Sequence, residues 1–127
     1  MQAERLSVLL YGLEPALADE LTTVLANHSI SVISESDDTL RLGDFTSRGV
    51  DVIFCASDRD CRERTLAAVS QTRSRTPVVV ASSQPEVNDW LDALEAGASD
   101  YCAAPFDSRQ IGWILDSHVR RARCAAA

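Results

Sequence analysis

Five times along the chain, a short run of β-branched and aliphatic residues is followed by a longer stretch whose apolar residues recur at helical spacing. Few folds accommodate that rhythm. Strands that alternate with helices are joined by crossovers, so the sheet they build is parallel and carries helices on its faces. The predicted strands are Leu6–Tyr11, Ile30–Ile33, Val50–Ala56, Thr76–Ser82 and about Asp100–Ala103. Val50–Ala56 and Thr76–Ser82 are almost wholly apolar, as strands covered on both sides must be. The expected fold class is one α/β domain, a three-layer α/β/α sandwich around a five-stranded parallel sheet. At 127 residues a second domain is not expected. The core should occupy about residues 5–123, and 124–127 reads as a tail: Arg120–Arg123, then Cys124 and three alanines, has the look of a linker or a chain end.

The helices follow from the same periodicity. Pro15 suits a first helical turn, and 15–27 places Leu17, Leu21, Val24 and Leu25 on one stripe. Asp37 and Asp38 can cap a weaker helix carrying Leu40 and Phe45 and ending near Gly49. An Arg-rich helix over about 60–73 turns Leu66 and Val69 inward. Ser83 and Glu86 form a capping box for a helix through Val87, Leu91 and Leu94 that stops at Gly97. Asp107 and Gln110 repeat that pattern before a last helix with Ile111, Leu115, Val119 and Ala122 inside. Trp113 lies two residues, or about 200°, from Ile111 and should point away from the sheet. Trp90 falls at the edge of the preceding helix's stripe, so two large aromatics flank one face, which is unusual unless something covers it.

Charge and composition narrow the chemistry. The net charge is −7, and all twelve basic residues are arginine. Such a field repels phosphate backbones and anionic lipid, so neither nucleic acid nor a membrane is an expected partner. With no lysine, a P-loop or Schiff-base mechanism is excluded. Cys55, Cys61, Cys102 and Cys124 show no C-x-x-C spacing, and neither His28 nor His118 is placed to complete a zinc pattern. No metal and no cofactor are expected. The apolar run of the first segment extends only over residues 6–11, too short for a signal peptide or a membrane span. A cytoplasmic location with reduced thiols follows. Cys55 and Cys102 should sit at the ends of adjacent strands, as small buried hydrophobes and not as a redox pair. Arg59, Arg62 and Arg64, with Arg73 and Arg75 beyond, read as a solvated helix face interleaved with Asp60 and Glu63. No acid–base partner is suggested for His28 or His118.

The segment Pro77–Phe106, PVVVASS followed after nine residues by ALEAGASDYCAAPF, resembles the C-terminal half of the receiver domains of bacterial two-component response regulators. In that family a strand ends in Ser or Thr, a helix ends in an A-L-x-A-G-A-x-D-Y/F phrase, and the next strand delivers a Lys-Pro-Phe turn. Here Ser82, Ala93–Tyr101 and Ala104-Pro105-Phe106 fall in register, with Ala104 twenty-two positions after Ser82. The resemblance implies flavodoxin-like topology with strand order 2-1-3-4-5.

The resemblance also locates a pocket and shows what it lacks. Receivers carry an acidic pair after the first strand for Mg²⁺, an Asp after the third as phosphoacceptor, a Ser/Thr and a Lys. These positions align with Gly12 and Leu13, with Ala56, with Ser82 and with Ala104. Only Ser82 matches, with Tyr101 as the companion aromatic, and Glu14 is the one acid left in the first loop. The expected function is a receiver-like module that is not an enzyme and takes no phosphate. It would act by contact with a protein partner, or with a second copy through the last two helices and the last strand, on the Trp90, Tyr101 and Trp113 face. Asp58, two residues past Ala56, is the acceptor in a second reading that makes the chain a phosphorylatable receiver; in the plain reading it caps the next helix. A third reading is a flavodoxin-like small-ligand binder, in which the emptied pocket takes a nucleotide or metabolite.

Overall fold

The computed structural model describes residues 6–26, 30–35, 50–71, 76–83 and 87–120. The strands are β1 (Leu6–Tyr11), β2 (Ile30–Glu35), β3 (Val52–Ala56), β4 (Val78–Ser82) and β5 (Asp100–Ala103). Among them run α1 (Pro15–Leu25), α2 (Arg59–Gln71), α3 (Val87–Glu95) and α4 (Ser108–Ile114), the last continuing as π-helix over Leu115–Arg120. All pairings are parallel, in the order β2-β1-β3-β4-β5. The helix expected over Leu40 and Phe45, residue His28, most of the capping box at 83–86, residues Arg73 and Arg75 and the tail lie outside the described residues.

Period-two alternation sends apolar side chains to both faces of the central strands. Val8, Leu10, Val52, Phe54, Val79, Ala81 and Cys102 belong to one buried cluster with Leu17, Leu21 and Leu25 of α1 and Ile111 and Ile114 of α4. On the other face, Leu9, Tyr11 and Ile53 meet Ala68 and Val69 of α2, while Cys55, Val80 and Tyr101 meet Ala93 of α3 and the following Ala98. Three layers result. Asp51 ties the entry of β3 to β1, its Oδ2 accepting from the Ser7 N–H at 2.8 Å.

The helix ends are set locally. Pro15 opens α1, and the Asp107 carboxylate accepts from the Arg109 N–H at 2.9 Å to cap α4. Gly97, at φ +113°, ends α3 as the sequence predicts, with the Ala98 N–H returning to the Ala93 carbonyl at 3.0 Å.

Two expectations are corrected. Among the described side chains of α3 the buried one is Ala93, while Leu91 (47% exposed) and Leu94 (37%) face outward beside Trp90. A small residue over Val80 and Tyr101 lets the helix lie close to the sheet, and that rotation turns the leucines to the surface. Cys55 and Cys102 are not on adjacent strands: β4 lies between them, and they point to opposite faces.

Candidate functional site

Parallel pairing brings the carboxyl ends of four strands together. Tyr11 pairs with Cys55, Ala56 with Ala81, and Ser82 with Ala103. The strand-end residues Ala56 and Ser82 and the residues that follow β1 and β5, Gly12, Leu13 and Ala104, therefore gather at one edge of the sheet, and the Ala104 N–H donates to the Ser82 carbonyl at 2.9 Å. The peptide bond between Ala104 and Pro105 is cis.

The character of this edge is apolar. Leu13 and Phe106 are buried in the cluster that α1 and α4 cover, and Ala56 and Ala104 pack against it. Ser82 is buried. Glu14 is exposed at the start of α1, where its backbone carbonyl accepts from the Ala18 N–H at 2.8 Å. Asp58 acts as the cap of α2: its Oδ2 accepts from the Cys61 N–H at 3.2 Å and its carbonyl from the Arg62 N–H at 2.9 Å. Among the described residues, no three or more His, Cys, Asp or Glu side chains come together as metal ligands would.

Cys61, in the first turn of α2, shapes the loop after β1 in a way no sequence signal announces. Its Sγ lies 3.6 Å from the Tyr11 carbonyl, and a Cβ built on Gly12 would sit 2.7 Å from that sulfur. Gly12 also has φ +73°, a conformation costly to side-chain-bearing residues. Gly12→Ala is therefore expected to cost about 1–3 kcal/mol in urea unfolding. Adding Cys61→Ala should restore the part due to the steric clash and leave the part due to the backbone.

Burial pushes the Cys55 thiol up to about 12, with Cys61 nearby adding to the rise. Burial likewise raises Cys102 to about 12, reinforced by the charge of Asp100. Both stay protonated thiols at neutral pH. Burial raises Cys61 as well.

The aromatic face is partly as expected. Trp113 is 61% exposed and Trp90 43%. Tyr101 is buried on the face of the sheet that α3 covers, in one cluster with Ala93, and its hydroxyl has no hydrogen-bond partner. The sequence offered no partner for His118, yet its Nε2 lies 3.0 Å from Asp100 Oδ2. His118 also meets Trp113 edge-on, with ring centroids 6.2 Å apart. Trp113 and His118 are five residues apart, and the π-helical stretch that begins at Leu115 makes such positions neighbours. No local pattern in the sequence marks a π-helix.

Comparison with solved structures settles the architecture. The signal receiver domain of a LuxO repressor protein from Vibrio parahaemolyticus superposes with a TM-score of 0.79 at 17% identity, covering 97% of this chain and 96% of that one. This is the receiver-domain fold. NtrX from Brucella abortus gives a TM-score of 0.81 at 16% identity over 97% of this chain and 29% of its own. The receiver domain of the sensor histidine kinase PA1611 from Pseudomonas aeruginosa, with a magnesium ion coordinated in its active-site cleft, gives 0.75 at 18%, covering 91% and 98%. No protein-family model matches the chain. Among curated sequences, the sensory transduction protein RegX3 of Mycobacterium tuberculosis and Mycobacterium bovis is 26% identical over 122 residues, 91% of this chain. The chain spans about half the length of these curated relatives, 51%. Among the described residues, no helix is long and apolar enough to cross a membrane.

Proposed function

We propose that the chain is a receiver-like signalling module of a bacterial two-component system that acts by protein contact without itself accepting phosphate. The observation that carries this reading is the packing of Leu13, Ala56 and Ala104 into one apolar cluster at the carboxyl edge of the sheet. A phosphoryl group approaches a carboxylate only where metal and fixed cations cancel the repulsion between them. Here the Ser82 hydroxyl is the polar side-chain group in the aligned positions, with Glu14 as the one acid left in the first loop. A hard cation such as Mg²⁺ asks for several oxygen ligands in octahedral array, and this donor set does not fit it. Asp58, whose carboxylate caps α2, is committed to a structural bond.

Signal transmission then rests on a surface. Trp90, Leu91 and Leu94 on α3 and Trp113 on α4 are exposed, and Tyr101 is buried in one cluster with Ala93 of α3. An apolar surface of this kind is stabilised by a partner that removes it from water. The partner is a protein, either another component of the signalling chain or a second copy docked on the last strand and the last two helices. Occupancy follows partner concentration and not an aspartyl phosphate. The reading assigns no enzyme activity and no cofactor, and places the module in the cytoplasm. The name of the mycobacterial relatives, sensory transduction protein, agrees with a signalling role.

Incubation with acetyl phosphate and Mg²⁺, followed by intact-mass measurement, tests the reading. The expected spectrum shows only the unmodified chain. A Mg²⁺-dependent phosphoryl adduct that disappears in Asp58→Ala would establish the displaced-acceptor alternative instead. Light scattering at increasing concentration with Trp113→Ala tests the homodimer arm: a dimer of the parent chain that the variant loses places its interface on this face.

A further inference from the structure

A groove of about 400 Å³ runs between α2 and α3, lined by Arg59, Arg62, Glu63, Asp92, Glu95 and Ala96. It lies outside the carboxyl-edge site. Arg59 and Glu63 pair across one helical turn at 3.1 Å, and both are largely solvated. This much agrees with a solvated Arg-rich face.

Arg62 does not. It is only 8% exposed, and its Nε is buried with no hydrogen-bond partner. A guanidinium stays charged at every accessible pH and carries donors in a rigid fork suited to a carboxylate. Buried without an anion, it is a costly arrangement that a bound carboxylate would relieve. The facing helix places Asp92 and Glu95 on the same groove. A phosphate or a dicarboxylate reaching Arg62 would meet these two acids and Glu63. A simple cation would satisfy the acids and leave Arg62 unpaired.

We propose that this groove binds a small zwitterion of the free amino-acid class, its carboxylate on the Arg62 guanidinium and its ammonium on Asp92 and Glu95. The volume lies within the range of small-ligand pockets, roughly 300–1,000 Å³. Each pole of the ligand meets a group of opposite charge, and the internal Arg59–Glu63 pair lines the groove without adding net charge. Such a ligand bridges α2 to α3, and the inference does not rest on the signalling role proposed above.

The test is a titration of the ¹⁵N-labelled chain, following the arginine Nε–Hε signals and backbone amides. The probes are a panel of free α-amino acids, with succinate and putrescine as controls that each lack one pole, all up to about 10 mM. At least one amino acid is expected to shift the Arg62 Nε–Hε signal and the amides of Asp92–Ala96 saturably, and neither control is. Arg62→Met should weaken that binding by about tenfold or more. Because Arg62→Met alters a buried side chain and can itself unfold the protein, Asp92→Asn with Glu95→Gln carries the test independently. That pair should weaken amino-acid binding several-fold and let succinate in. The proposal is overturned if no amino acid shifts the Arg62 signal, if succinate binds the parent chain as well as the zwitterion does, or if the Asp92→Asn/Glu95→Gln chain binds unchanged. An Arg62 Nε–Hε already bonded to Asp92 or Glu95 in the free protein would overturn it too.

Discussion

Phe54→Ala is expected to lower the free energy of unfolding by about 3–5 kcal/mol, the usual cost of emptying a fully buried aromatic site. Phe54 sits on the central strand β3, between Leu10 of β1 and Val79 of β4, and is wholly buried. It shares its cluster with the inner faces of α1 and α4, so its removal opens a void that the sheet and that helical layer must close together. Because the stability of a domain this size is on the order of 5–15 kcal/mol, the loss is a large fraction of the whole. Urea unfolding with an unchanged slope is the measurement. A loss under about 1 kcal/mol would mean that Phe54 is not at the centre of the core. Its place near the end of β3 also ties stability to the site, since Ala56 two residues on packs against the same cluster.

Alkaline destabilisation is the second large effect. Cys55 and Cys102 are raised from 9.0 to about 12 in the folded chain, chiefly by burial. A thiol is neutral when protonated, so between these values the unfolded chain releases protons that the folded chain retains. Stability is therefore fully present below pH 9 and falls as pH rises toward 12, by about 1.4 kcal/mol per pH unit for each thiol. Unfolding measured from pH 8 to 10.5 should show this slope, and Cys55→Ala/Cys102→Ala should lose the share due to the two thiols whatever its stability at neutral pH. Equal pH dependence in the parent and double variant would refute the burial of both groups. Native alkylation at pH 8 gives a second reading, with Cys55 and Cys102 unmodified until the chain unfolds.

The pocket positions show how far sequence reading reached. Gly12, Leu13, Ala56, Ser82 and Ala104 were singled out by the resemblance to receiver domains, and parallel pairing brings the strand ends that carry them to one edge of the sheet. Asp107 and Gly97 were legible as helix boundaries because capping is a local property of a few backbone groups. Trp113 was correctly turned outward because its position relative to Ile111 depends only on helical pitch.

The remaining features needed contacts between distant segments. Arg62 looks like its neighbours Arg59 and Arg64 in the sequence, and only the docking of α2 against the sheet separates a buried guanidinium from a solvated one. Leu91 and Leu94 form a credible inward stripe until Ala93 sets the rotation of α3 over Val80 and Tyr101. Asp100 and His118 are eighteen residues apart and meet at 3.0 Å through a π-helical turn.

By itself the sequence determined the order of strands and helices, the apolar filling of the central strands and the identity of the residues at their carboxyl ends. These follow from hydrophobic periodicity and short-range capping, which act within a few residues of chain. Tertiary structure alone decided how each helix is turned about its axis, which face of the sheet each thiol enters and which charges are buried. Those outcomes minimise the free energy of surfaces brought together from opposite ends of the chain, a quantity that no local window contains.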